Sequence, residues 1–341
     1  MIIMSRIITF RQALNEAIVN EMERDSKVIL LGEDIAGGAG VEHLDGDEAE
    51  GGSLGATKGL VKKFGRNRVI DTPISESGYT GAALGAAMCG LRPVSELQFA
   101  NFFGCAMDQI YNNIAKMRYM SGGQANAPLV IRMPNGGGWS AAGQHSDAIY
   151  SMMAHIPGIK TIVPSTPYDC KGLMISAIRD DDPVCFFEHI TLYDTKGEAP
   201  EEEYTIPIGK ADVKRKGKDV TVVAIQKMVL HALEVADKCA KDGVELEVID
   251  PRTLSPLDTD TIINSVKKTH RLIIVDEDHA RCSISSDISA IVSEQAFDYL
   301  ESPVKRITAP HTHVPFSPVL ENAYIPNPDL IYKTITSFLS E

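Results

Sequence analysis

The sequence has no Cys-x-x-Cys pair, no apolar run of bilayer-spanning length, and too few basic residues to balance its acids. Each shortage excludes something. Its 46 Asp and Glu against 33 Lys and Arg give a net charge of −13. Nucleic acid and anionic membranes are gripped by clustered Lys and Arg, so neither is an expected partner. Crossing a bilayer needs roughly 20 apolar residues in a row, and no such stretch occurs. The six cysteines (Cys89, Cys105, Cys170, Cys185, Cys239, Cys282) are scattered. Such spacing reads as free, mostly buried thiols in a reducing compartment, so a cytoplasmic protein is expected. The opening Met1-Ile2-Ile3-Met4-Ser5-Arg6 has no basic region ahead of its few apolar residues and no Arg/Ser-rich character, so no targeting segment is expected there. Phosphate and hydrolase signatures are missing as well. Gly38-Ala39-Gly40 does not continue as GxGxxG, and GxxxxGK[ST], HExxH and GxSxG do not occur. A NAD-dependent dehydrogenase would fit the fold class, but its glycine fingerprint is not convincing here.

What is present is alternation. Apolar, β-branched runs at Val28–Leu31, Arg68–Asp71, Pro93–Phe99, Pro128–Met133, Thr161–Pro164 and Val184–Glu188 alternate with helical patterns at 77–89, 101–121, 146–155 and 167–179. This spacing predicts an α/β protein with parallel-sheet cores covered on both faces. A polar stretch, 191–206, reads as a linker. The alternation then restarts with strands at Val220–Ile225, Glu245–Ile249, Leu272–Asp276 and Val304–Thr308 and helices at 228–241, 257–268, 284–299 and 329–339. Two domains, 1–190 and 207–341, are therefore expected. Ligands of open parallel sheets gather at the carboxyl ends of strands, which directs attention to residues just after them.

Glu76 stands at such a point, ahead of a helix that is almost wholly apolar. An acid in a first helical turn favours the helix dipole; a carboxyl desolvated by apolar neighbours can instead share a proton with a ligand nitrogen. His145 closes a glycine-rich segment, residues 134–144, and is either a turn residue or a catalyst. Phe99, Phe102 and Phe103, at a strand–helix junction, are core or a platform for a planar ligand. Residues 36–56 form a glycine-rich loop with Glu42, Asp45, Asp47, Glu48 and Glu50, either solvated or functional.

Several segments carry a resemblance: Ile70-Asp71-Thr72-Pro73-Ile74-Ser75-Glu76, Gly90-Leu91-Arg92-Pro93, Tyr119-Met120-Ser121-Gly122-Gly123, Gln144-His145-Ser146 and Asp250-Pro251-Arg252-Thr253. In order and over nearly the full length, the chain resembles the β subunits of thiamine-diphosphate-dependent 2-oxoacid and acetoin dehydrogenases. Gly32-Glu33-Asp34-Ile35-Ala36-Gly37-Gly38 and Ala309-Pro310-His311-Thr312-His313 resemble the acetoin branch most.

The resemblance implies a pyrimidine-binding domain followed by a transketolase C-terminal-type domain. It places Glu76 on the aminopyrimidine N1′ of thiamine diphosphate, Phe102 against that ring, and Gln98 and Ile74 beside it. His145 takes the place of the active-site histidine, and Glu33 that of an acid in a proton path. It further implies a structural potassium ion on the carbonyls of Leu129, Ala177, Ile178, Asp180 and Asp182. The Gly-Asp-Gly motif that holds diphosphate and Mg²⁺ in the family is missing, so an α subunit is expected to supply that half of the site. An α2β2 assembly on a dihydrolipoyl acyltransferase core with lipoyl domains completes the expectation. The reaction would be cleavage of acetoin with transfer of the acetyl unit to lipoamide, or oxidative decarboxylation of pyruvate or a branched 2-oxoacid. A non-catalytic assembly subunit stays open as the other reading.

Overall fold

The computed structural model describes residues 5–37 and 51–340. The acidic residues singled out between 42 and 50, and Gly38, Gly40 and Glu341, lie outside them. In chain order the first strands are β1 (Ser5–Thr9), β2 (Val28–Gly32), β3 (Val69–Asp71), β4 (Arg92–Glu96), β5 (Val130–Asn135), β6 (Lys160–Ile162) and β7 (Val184–His189). There follow β8 (Lys196–Pro200), β9 (Asp212–Arg215), β10 (Val220–Ala224), β11 (Leu246–Asp250), β12 (Thr253–Ser255), β13 (Leu272–His279) and β14 (Lys305–Ala309).

Two main sheets result, one of seven strands in the order β12-β6-β7-β5-β4-β2-β3 and one of five in the order β14-β13-β10-β11-β9. Pairing is parallel except for β12 on β6 and β9 on β11. Every residue of β2, β5, β7, β10 and β11 is buried. Strands covered on both faces run mostly apolar, and the polar exceptions here, such as Arg132 and Glu188, are paired inside the sheet. The helix Phe10–Arg24 starts on a reciprocal cap: the Thr9 hydroxyl accepts from the Gln12 N–H, and the Gln12 side chain accepts from the Thr9 N–H at 2.9 Å. It packs against the helix Pro167–Arg179, which opens on a Thr166 cap with proline in its first turn.

The structure departs from the sequence reading at several places. The stretch taken as one helix over 101–121 is a relay of a 3₁₀ turn, a short α-helix, a π turn at Gln109–Ile114 and a final α turn. The 146–155 helix is reduced to Tyr150–Ala154, and the 284–299 helix ends at Gln295. Within the polar 191–206 segment, β8 pairs antiparallel with β1, with Ile7 opposite Glu198. Neither strand of that ribbon carries a strong apolar signal; pairing between distant segments makes them strands. β12 leaves the second block and adds to the edge of the first sheet, Thr253 opposite Ile162. A single apolar cluster accordingly runs from Tyr79 and Leu97 through Leu254 to Ile249 and Ile274. The cysteines are unpaired, but Cys89, Cys105 and Cys282 are exposed and only Cys170, Cys185 and Cys239 are buried.

Candidate active site

Two groups of side chains lie beyond the carboxyl ends of β2 to β5. The first is acidic. Glu33 follows β2, Glu76 opens the helix Glu76–Met88 directly after β3, and Glu96 ends β4. Because β4, β2 and β3 are neighbours in the sheet, three carboxylates are delivered to one edge. Tyr79, one helical turn beyond Glu76, donates to Glu33 Oε1 in a long hydrogen bond of 3.4 Å. Glu33 is buried, and burial pushes its carboxyl above the usual range, helped by the charges of Glu76, Asp34 and Glu96 and opposed by the Tyr79 hydrogen bond. Glu76 is half-buried. Glu96 is tied to Arg132, whose guanidinium also forks onto Glu188 through two bonds of 2.7 Å. Tyr193 donates to the same Glu188 at 2.5 Å. Arg132 is about 1% exposed, so this ion network lies in the sheet's interior beneath the site.

The second group is aromatic. The His145 ring meets Phe99 edge-on at 4.6 Å between centroids and Phe102 at 5.5 Å. Trp139 stacks on Phe99 at 5.8 Å with 23° between the planes. Asn101, between the two phenylalanines, donates to the Gly143 carbonyl at 3.1 Å and to Asp147 at 2.7 Å, fastening the 143–147 segment to the 3₁₀ turn Ala100–Phe102. Burial pushes the Asp147 carboxyl up, against the pull of that bond. Asn101 Oδ1 and Ser146 Oγ are buried with no hydrogen-bond partner among the described residues, polar atoms beside an aromatic wall.

Of the residues picked out in sequence, Glu33 and Glu76 fall in the first group and Phe102 and His145 in the second. Gln98 is half-buried just past β4, and Ile74, just past β3, is 83% exposed. The proposed potassium carbonyls are elsewhere. Leu129 precedes β5, and residues 177–182 precede β7, at the amino ends of the strands and so on the opposite edge of the sheet. Arg92 Nη1 donates to the carbonyls of Ile178 and Asp180, each at 2.9 Å. The Ala177 carbonyl accepts from the Asp180 N–H and that of Leu129 from the Val184 N–H. The Asp182 side chain pairs with Lys160 and Arg118. A potassium ion there would compete with the guanidinium already seated on two of the five carbonyls, so these residues do not present an open cage.

Sequence reasoning passed over Tyr79, Trp139 and the Arg132 network. Tyr79 had a signal, its place three residues after Glu76 on the same helix. Arg132, an arginine inside an apolar strand, was a second. The helix after Glu76 also proves less enclosed than its composition suggested: Tyr79, Ala83, Leu84 and Ala87 are buried, while Gly78, Ala82, Gly85 and Met88 face outward.

Residues 6–196 match the family described as transketolase, pyrimidine binding domain, and residues 209–331 match transketolase, C-terminal domain. The chain is 56% identical over 338 residues to the acetoin:2,6-dichlorophenolindophenol oxidoreductase subunit beta of Bacillus subtilis, covering 99% of each chain. Its counterpart in Cupriavidus necator is 54% identical, with 95% of each covered. The pyruvate dehydrogenase E1 component subunit beta of Bacillus subtilis is 45% identical over 97% of this chain and 98% of its own. A solved split-gene transketolase, an inactive β4 tetramer, shares the fold with a TM-score of 0.77 at 21% identity, covering 98% of each chain. With an acidic edge and an aromatic wall at the mouth of a pyrimidine-binding domain, the chain belongs to the family of acetoin and 2-oxoacid dehydrogenase β subunits.

Proposed function

We propose that the chain is the β subunit of a thiamine-diphosphate-dependent acetoin dehydrogenase, an oxidoreductase component that turns over only with an α subunit. Similarity above 50% to two acetoin oxidoreductase β subunits, against 45% to a pyruvate dehydrogenase subunit, favours acetoin over a 2-oxoacid. The observation that carries the site is that Glu76 and the Phe99–Phe102–His145 wall both lie past the carboxyl ends of parallel strands of one sheet.

The residues fit the pyrimidine half of the cofactor. Glu76 would hold the ring nitrogen through its carboxyl, Phe102 would pack on the ring face, and Gln98 and Ile74 would line its rim. The orphaned Asn101 Oδ1 and Ser146 Oγ are polar atoms a bound ligand or its waters would satisfy. For the diphosphate half the chain offers little. The sequence contains no Gly-Asp-Gly, the motif that holds Mg²⁺ and diphosphate in the family, so the α subunit would hold them. The outward Gly78, Ala82, Gly85 and Met88 face and the exposed Ile74 support a partner packing beside Glu76.

When bound, thiamine diphosphate supplies the nucleophilic carbon and the electron sink for breaking the carbon–carbon bond of acetoin. The chain's own part is proton control and enclosure. Glu76 shares a proton with the ring nitrogen. Glu33, whose carboxyl burial pushes up, accepts from Tyr79 of the Glu76 helix and would be the second acid of the proton path. His145, held on edge by two phenylalanines, would carry a proton at an imidazole nitrogen to or from the substrate oxygen. The aromatic wall would line the space of that transfer. The acetyl unit would leave on the lipoyl domain of a dihydrolipoyl acyltransferase core, from an α2β2 assembly.

Reconstitution with the α subunit and an artificial electron acceptor tests this. Acetoin is expected to be oxidised in preference to pyruvate or a branched 2-oxoacid, and Glu76→Gln is expected to keep the assembly and lose most turnover. A Glu76→Gln enzyme with normal rates would overturn the site.

A further inference from the structure

The glycine-rich segment that leads to His145 is shaped by the second domain. Gly136, Gly138, Ser140 and Ala142 have φ of +88°, +104°, +63° and +58°, alternating with residues of ordinary hand. Such alternation turns neighbouring N–H groups to one side and creates a concavity for an anion. Two carboxylates fill it here. Glu321, from the short helix Pro318–Tyr324, accepts from the Gly138 N–H at 2.8 Å through one oxygen and from the Ser140 N–H at 2.9 Å through the other. Glu277, in β13, accepts from the Gly137 N–H at 2.6 Å, and its second oxygen lies 2.7 Å from His189 Nε2. Both glutamates are buried.

The fit leaves no slack. A Cβ on Gly136 would lie 2.4 Å from His189 Nε2, and one on Gly138 would lie 3.0 Å from Thr191 Cγ2. Between the two residues that Glu321 grips sits Trp139, stacked on Phe99, which in turn abuts His145. A carboxylate of the second domain is thus connected to the active-site histidine by two backbone hydrogen bonds and two ring contacts.

We propose that Glu321 is a positioning residue of the active site: its grip on Gly138 and Ser140 fixes Trp139 and, through Phe99, the ring of His145. This rests on the reading of His145 and Glu76 given above. The second domain thereby takes part in turnover.

Trp139 is the one tryptophan of the chain, so its emission reports the loop directly. In Glu321→Gln one carboxylate oxygen becomes an NH₂ that meets an N–H, and one loop contact is lost. The full-length variant is expected to show red-shifted Trp139 emission and stronger acrylamide quenching while its far-UV circular dichroism stays native. With the α subunit its kcat is expected to fall roughly tenfold to hundredfold, the scale of a misplaced catalytic group, with a smaller change in KM. Glu321→Asp keeps the charge and is expected to fall between the two on both readouts; it decides the question alone if Glu321→Gln does not fold. Wild-type emission and quenching, or a shifted loop with normal kcat, would overturn the proposal. A glutamate that served stability alone would lower the melting temperature and leave the emission of the folded chain unmoved. If Glu76→Gln retained turnover, the assignment of the site would fail, while the Trp139 response would still measure the clamp.

Discussion

The Tyr79 hydroxyl, one helical turn beyond Glu76, donates to Glu33 Oε1 at 3.4 Å and so ties the acid after β2 to the helix after β3. The folded chain holds the Glu33 proton more tightly than the unfolded chain does, because burial and the neighbouring carboxylates raise its pKa. The stability this confers is present in full below the ordinary carboxyl value and is lost as pH rises through the raised one. Glu33→Gln removes a titrating group that costs stability at neutral pH. Its melting temperature is expected to exceed wild type at pH 7, with the gain vanishing toward pH 4, while turnover falls. A melting temperature below wild type at pH 7 would contradict this.

The Arg132 network makes a second, larger prediction. Arg132→Met leaves Glu96 and Glu188 facing each other, buried and without their cation. Removing one partner of a buried ion group typically costs about 3–5 kcal/mol. Denaturant unfolding of the full chain should register a loss of that order, and a change under about 1 kcal/mol would mean the site is wetter than the structure shows.

Phe102→Ala removes ring contacts to both Phe99 and His145. An aromatic pair is worth about 1 kcal/mol beyond its buried area, so thiamine diphosphate should activate the reconstituted enzyme at a roughly fivefold higher concentration. The overall stability of the chain should change less, since Phe102 is only half-buried. An unchanged activation curve would remove Phe102 from the cofactor site.

Thiol titration separates the cysteines. Cys89, Cys105 and Cys282 should react with a disulfide reagent in the native chain. Burial pushes Cys170, Cys185 and Cys239 up, so they hold less thiolate and should react only after unfolding. Reaction of all six in the folded chain would show that the two cores open readily.

Much of the fold was legible because it is locally encoded. β2, β7, β10 and β11 are buried along their whole length and mostly apolar, and Thr9 with Gln12 marks a helix start that the structure keeps. β8 and β12 were not legible, since each becomes a strand only by pairing with a distant partner. The 101–121 stretch reads as one helix, yet its π turn at Gln109–Ile114 interrupts the regular pattern.

By itself the sequence determined the two α/β blocks, the strand-end positions of Glu33 and Glu76, and the family motifs that pointed to His145, because these depend on local periodicity and residue type. Only the tertiary structure decided that Tyr79 joins Glu33 to Glu76's helix, that Arg92 occupies the carbonyls of Ile178 and Asp180, and that Glu277 and Glu321 hold the loop before His145. Those contacts link residues from 46 to 183 positions apart. Strand order and domain packing bring them together, and a carboxylate far along the chain has no local pattern that names its partner.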